Sequence, residues 1–348
     1  MHKKLVRGLM ASNFGDAQTS IDENVLVTAG GGGGVDGTGI GGGGGGGDNS
    51  YGGEGDGKSK KNVEEALAVL KEASRSLESL PSDLAQAIER GAIPGFLVEK
   101  FLDLEGTPVI GLFTRFSGFR ERLLADDLFL TKVLIECGVG MFTKTAAEYE
   151  RRRENFYKEL DFVIADVVMA LVADFMLVWL PAPTVALRPA PGLGSNAIMR
   201  FFFKCPDNAF QKALPGQDFS LLLRAGSILR NGAKLFGVGT GASLIGTLAT
   251  NSLSKIRVAL NPDYVAENED LPVISTSVAY GAYMAISSNI RYQLLAGVVE
   301  QRVLEPFLHK HKLALGVSSF VVRTGNTFLG SLLWVDYARW VGVQGSKE

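Results

Sequence analysis

The stretch LDFVIADVVMALVADFMLVWL, Leu160 to Leu180, decides how the rest of the chain is read. It is long enough to cross the hydrocarbon core of a bilayer as a helix. It ends at Trp179 and Leu180, just before PAPTVALRPAPG, and a tryptophan at a helix end suits a membrane interface. Between Phe162 and Leu180 there are eleven Phe, Val, Ile or Leu residues. At about −0.5 kcal/mol each they favour insertion by roughly 5–6 kcal/mol, and two central aspartates at about +3 kcal/mol each nearly cancel that. Such a helix inserts poorly alone and needs neighbours.

Three downstream stretches fit that role. AKLFGVGTGASLIGTLATNSL (residues 233–253) is apolar and rich in small residues, with Gly237 and Gly241 four apart, as are Ala242 and Gly246. That spacing lets helix backbones approach closely in lipid. LPVISTSVAYGAYMAISSNI (271–290) and LALGVSSFVVRTGNTFLGSLLWV (313–335) are the other two, the last with Trp334 and Trp340 near its end. Between the first and second spans, NAIMRFFFK and DFSLLLRAGSILRNG read as amphipathic interfacial helices within 197–232. The distribution of Lys and Arg between the loops leaves the orientation open.

Upstream the character changes. Residues 1–161 carry 44 of the 72 charged residues and sum to −6, whereas 162–348 carry 28 and sum to +4, so the apolar content lies in the second half. In KNVEEALAVLKEASRSLESL the apolar positions Val63, Ala66, Leu67, Leu70, Ala73, Leu77 and Leu80 follow a helical period until Pro81. Further helical runs follow: DLAQAIER capped by Ser82 and closed by Gly91, GFLVEKFLDL, RERLLADDLFLTKVLIECGVGMF and TAAEYERRRENFYKEL. No alternating pattern competes, so 59–159 reads as a helical soluble domain. Residues 1–58 hold little that could bury a core and read as disordered. MHKKLVRGLMASNF is basic but lacks a secretory apolar core, and is short and serine-poor for a complete transit peptide.

Several chemistries are weighed and set aside. GGEGDGKS, Gly52 to Ser59, matches a phosphate-loop pattern, yet 18 of the 43 glycines fall between Gly30 and Gly57, so composition alone nearly guarantees the match. No strand precedes it, and Glu54 and Asp56 would sit inside an anion cradle. A nucleotide-binding enzyme is therefore the remote alternative. Gly237, Gly239 and Gly241 resemble a dinucleotide loop, but Ala242 occupies the last glycine position. Cys137, Cys205, His2, His309 and His311 form no metal pattern. A net charge of −2 offers no footprint for nucleic acid, and ERRRENFYK reads as a salt-bridged helix face, HKHK as a solvated basic edge. No catalytic residue, metal or cofactor is expected.

The glycine tract, SLPSDLAQAIERGAIPGFLVEKFLDLE, ERRRENFYKELDFVIADVVMALVADFMLVWLPAPT and LRAGSILRNGAKLFGVGTGASLIGTLATN together resemble the Reticulata-related family of plant plastid proteins, over about residues 60–340. The resemblance implies a chloroplast envelope membrane location, a transit peptide, several membrane spans and a role in leaf mesophyll development. Metabolite transport is the activity proposed for the family. No catalytic motif comes with it.

Ionisable residues inside spans face protein or water and mark function. Asp166 and Asp174 lie about 80° apart on the first span, and Arg323 and Asn326 share a face of the fourth. The expectation is that Arg323 pairs with Asp166 or Asp174, either lining a path for a small charged metabolite or fixing helix register. The fold expected is all-α: a helical soluble N-terminal domain followed by a multi-span α-helical membrane bundle over 160–343. Its partners are membrane lipids and a charged solute. Its function is to support leaf and chloroplast development through metabolite transport, with a non-transporting envelope scaffold as the alternative.

Overall fold

A computed structural model describes residues 53–188, 196–214, 218–260 and 273–343. The described residues are helical, with no strand among them. The disorder expected for 1–58 lies outside the described residues up to position 52, whereas 53–58 are helical. They open α1, Gly53–Glu72. Of the phosphate-loop pattern, Gly52 lies outside the described residues, and Gly53 to Ser59 are helix where the pattern would need a loop. Ser59 Oγ donates to the Arg90 carbonyl at 2.8 Å. Gly91 presses on Ser59 at φ +62°, where a Cβ would lie 2.2 Å from Ser59 Oγ, so this turn requires glycine.

α1 ends eight residues before the expected stop at Leu80, with Ser74 at φ +52°. Then come α2 (Ser82–Glu89), α3 (Gly95–Glu105), α4 (Ile110–Phe113) and α5 (Ser117–Ala125). Their apolar faces meet in one core through Ala66, Leu70, Leu84, Ile88, Ile93, Leu97, Phe101, Leu123 and Leu124. The same core includes Val178, Ala182, Val185 and Leu187, from the far side of the long apolar helix. The first helical layer is therefore sealed by chain that follows it by fifty residues, and no break at residue 160 separates two cores.

The bundle begins earlier than expected. Asp126 interrupts the helical run, its Oδ1 accepting from the Leu128 amide at 2.9 Å, and α6 (Phe129–Arg152) starts beyond it. α6 packs along α7 (Leu160–Trp179) and against α13 (Lys312–Trp340). Between them lie α8 (Ala197–Lys204) and α9, a single helix from Leu221 to Leu260. At 1.5 Å per residue its 40 residues span roughly 60 Å. DFSLLLRAGSILRNG is thus no separate interfacial helix; from Leu221 it forms the first turns of α9. Gly226 and Gly232 do not break it because each sits under a neighbour, Cys205 and Phe201 for one, Ala285 and Asn289 for the other.

α9 lies against α10 (Val273–Tyr283), which runs on through a π turn (Met284–Ser288), α11 (Asn289–Leu294), a second π stretch (Leu295–Leu304) and α12 (Glu305–Leu308). The close approach of α9 and α10 is made at Gly239 and Gly281. A Cβ on Gly281 would fall 2.0 Å from Thr240 Oγ1 and 2.8 Å from the Phe236 carbonyl oxygen; one on Gly239 would fall 3.1 Å from Gly281 Cα. The glycines expected at that contact, Gly237 and Gly241, have nothing within 4 Å. Ala242 is buried and Gly246 stands at ordinary contact with Met169. The close-packed glycines on this side of α9 are Gly232 and Gly239, seven apart instead of four.

Among the described residues only α7 is long and apolar enough to cross a membrane by length and composition. The other three expected spans fall short for identifiable reasons. Gly, Ser and Thr dilute the apolar content of α9 and α13, and α13 adds Arg323 and Asn326. Residues 271–272 lie outside the described residues, and α10 changes to π geometry after eleven residues.

The buried ion network

Along α6 a polar stripe recurs at every fourth residue: Lys132, Glu136, Gly140, Lys144, Glu148 and Arg152, all of them buried. Each step of four advances about 40° around the helix. The opposite face carries Leu134, Met141, Phe142 and Tyr149, all exposed. Lys132 and Glu136 meet counter-charges on α13, the π stretch and α12, whereas Glu148 pairs with Lys144 and Arg152 within α6 and Arg152 also with Glu159.

Arg323 of α13 is the centre. Its Nε and Nη2 donate to Glu300 Oε1 and Oε2, both at 2.8 Å, and Nη1 donates to Glu136 Oε2 at 3.2 Å. The two-point pairing uses the planar guanidinium fork and fixes the geometry of all three side chains. Glu136 Oε1 also accepts from Thr327 Oγ1 at 2.8 Å and from the Tyr292 hydroxyl. Lys132 Nζ lies 2.6 Å from Asp126 Oδ2, 3.3 Å from Glu300 Oε2 and 3.6 Å from Glu305 Oε1. Two cations thus face four carboxylates, and Glu136, Glu300 and Arg323 are each no more than 3% exposed. Glu300 occupies the ten-residue π stretch, a geometry that is rare at this length and concentrates at functional sites.

Arg323 therefore joins neither Asp166 nor Asp174. Asp166 faces α9, where Thr250 Oγ1 lies 3.5 Å away. Asp174 lies over Gly140 of α6, so close that a Cβ there would sit 1.9 Å from Oδ2, and that oxygen is buried without a hydrogen bond. Asn326 belongs to a second cluster: its carbonyl and its Oδ1 both accept from Arg291 Nη1 at 2.9 Å. Arg291 Nη2 contacts the Tyr283 hydroxyl at 3.2 Å, and Tyr283 packs with Trp334 and Tyr337. Trp334 is buried in that aromatic group, and Trp179 is half-buried among Phe119, Phe129 and Phe175, so an interfacial belt describes at most Trp340, which is exposed. Among the described residues no group of three His, Cys, Asp or Glu could hold a metal ion.

A family model described as Protein RETICULATA-related matches residues 121–298, about half of the chain. A relative from Arabidopsis thaliana named Protein RETICULATA-RELATED 4, chloroplastic, is 62% identical over 282 residues, covering 81% of this chain and 73% of the relative. The chain belongs to the RETICULATA-related family. Protein RETICULATA-RELATED 5, chloroplastic, is 41% identical, covering 82% of this chain but 40% of the relative. Protein RETICULATA, chloroplastic, is 31% identical, covering 79% and 65%. The chain thus spans about three quarters, two fifths and two thirds of these RETICULATA-related proteins. No solved structure was found to match it. The RETICULATA-related match encloses Lys132, Glu136, Asp174 and Tyr292, and stops just before Glu300, leaving Arg323 outside it.

Sequence reasoning placed one member of the network, Arg323, and missed Lys132, Glu136, Tyr292, Glu300 and Thr327. The signal was present for α6. Charged residues at four-residue spacing, interrupted once at Gly140 and with Leu, Met and Phe between them, describe a helix whose polar side is buried. The soluble reading of 59–159 assigned that side to water.

Proposed function

We propose that this chain is a multi-pass membrane protein of the chloroplast envelope whose helical bundle carries a small charged metabolite, and so supports leaf and chloroplast development. One observation carries the reading. Helices α6, α7, α9, α10 and α13 direct large apolar side chains outward while charged side chains meet inside. Leu134 and Phe142, Ile164 and Val168, Ile245 and Leu248, Ile274, and Phe320 and Val321 are exposed, whereas Lys132, Glu136, Glu300 and Arg323 are buried. In water that arrangement exposes much apolar surface and desolvates ions at several kcal/mol each. In hydrocarbon the outer faces are in their proper solvent, and ionisable groups belong inside the bundle. The names of the relatives, each chloroplastic, support the organelle.

The carrier role rests on the acid excess inside. Two cations among four carboxylates leave capacity for a further cationic group or proton. The test is reconstitution of the purified full chain in liposomes with a panel of charged plastid metabolites. Saturable uptake of at least one solute above protein-free liposomes is expected. Folded protein that moves none of them would support the non-transporting scaffold instead. Extraction from envelopes by alkaline carbonate, without detergent, would remove the membrane reading altogether.

A further inference from the structure

Where α7 ends, the chain leaves the bundle through residues 181–188; there the Trp179 carbonyl accepts from Arg122 of α5 and the Leu180 carbonyl from Asn231 of α9 at 3.3 Å, which brings four cations to this end: Arg122, Arg188, and Arg230 and Lys234 one turn apart on α9. Arg188 donates through Nε and Nη2 to Glu121 at 3.1 and 2.9 Å. Arg230 lies 2.5 Å from Asp207 and donates to the carbonyls of Phe202, Cys205 and Pro206. These two cations are neutralised. Arg122 and Lys234 are not: among the described residues neither has a carboxylate within ion-pair distance.

Arg122 is the more unusual. Its side chain is buried, and its guanidinium lies 3.9 Å over the Trp179 ring. Nε donates to the Trp179 carbonyl at 2.8 Å and Nη1 to the Gly118 carbonyl at 2.9 Å. A ring and two carbonyls supply dipoles, not a negative charge. Burial holds the Arg122 pKa down to about 10, although Asp207 and Glu121 pull it upward. The same burial pushes the Glu121 carboxyl up, against the Arg188 guanidinium beside it. Lys234, an exposed residue, shares the neighbourhood of Arg230, Asp207, Arg122 and Arg188. Four cations against Glu121 and Asp207 leave a surplus of two positive charges. A buried cation lacking a counter-charge is costly and calls for one.

We propose that Arg122 and Lys234, flanked by Arg188 and Arg230, bind a phosphate-class oxyanion at this end of the bundle. A phosphate dianion matches the surplus charge, and arginine forks suit its oxygens. The same chemistry is offered by the headgroup of an anionic phospholipid, which basic pockets between membrane helices accept, and by free phosphate or a phosphate ester. The proposal does not depend on the carrier reading.

The test uses the purified full chain in nonionic detergent, with two arms. Calorimetric titration with inorganic phosphate at fixed ionic strength reads the soluble source. Native mass spectrometry of protein from micelles doped with phosphatidic acid or phosphatidylcholine reads the lipid source. Saturable phosphate binding, selective retention of phosphatidic acid, or both, is expected, each weakened at least about tenfold by Lys234→Gln. Phosphate binding alone assigns a soluble ligand, and phosphatidic acid retention alone assigns a headgroup. Lys234 has no ion-pair partner to lose, so an unchanged melting temperature is expected of the variant. Absence of binding in both arms, or binding by Lys234→Gln as tight as by the parent chain, overturns the proposal.

Discussion

Arg323→Leu is expected to destabilise the folded chain by about 3–5 kcal/mol, because it strands two buried carboxylates at once. Glu300 loses both of its 2.8 Å bonds from the guanidinium, and Glu136 loses the third. Lys132 remains 3.3 Å from Glu300, and Thr327 and Tyr292 remain on Glu136, so the loss is incomplete. For a chain of this size the melting temperature in detergent should fall on the order of 10 °C. Combining Arg323→Leu with Glu300→Leu should recover part of that loss, since a buried pair replaced by apolar residues is often close to neutral. A single variant that melts within about 1 °C of the parent would mean that the network does not hold the bundle. The same variant also bears on function: unchanged flux from correctly folded Arg323→Leu in liposomes would remove Arg323 from the transport role.

Gly281→Ala is expected to disrupt the contact between α9 and α10, at about 1–3 kcal/mol. The added methyl meets Thr240 Oγ1, which can rotate, and the Phe236 carbonyl at 2.8 Å, which cannot. Relief requires the two helices to separate. Gly237→Ala and Gly241→Ala enter open space and should be neutral or stabilising by up to about 1 kcal/mol, because alanine favours the helix. Thermal melts of the three variants side by side decide the matter. If Gly237→Ala destabilised more than Gly281→Ala, the observed packing stripe would be wrong and the four-residue motif right.

The contrast between those glycines shows what the sequence made legible. Helix content was readable because apolar residues recur with helical period from Val63 onward and no strand pattern competes. Small residues on α9 suggested helix packing but not its face, since Gly237, Gly239 and Gly241 all look alike until a partner helix chooses one. Arg323 stood out as a charge within an apolar stretch, and that logic is local. Its partners are not local: Glu136 lies 187 residues away in the sequence and Glu300 lies 23 away. Both were passed over because a glutamate among other polar residues looks ordinary until its side of the helix is known to be covered. The aspartates on α7 drew attention only because their surroundings are so apolar. The helix boundaries at Glu72 and Asp126 escaped for a different reason: a positive φ at Ser74 and the Asp126 side chain on the Leu128 amide are local breaks inside a pattern that otherwise reads as helix.

The core of the first helical layer has a practical consequence for anyone who would cut this chain. Val178 at the end of α7, and Ala182, Val185 and Leu187 beyond it, fill its interior. A fragment ending at residue 159 would keep α1 to α6 yet lack that plug, and would bare the charged stripe of α6 to whatever surrounds it. Amino-terminal helices and bundle therefore mature as one cooperative object. A truncation chosen for easy handling at the bench would yield an incomplete interior, not a miniature of the parent.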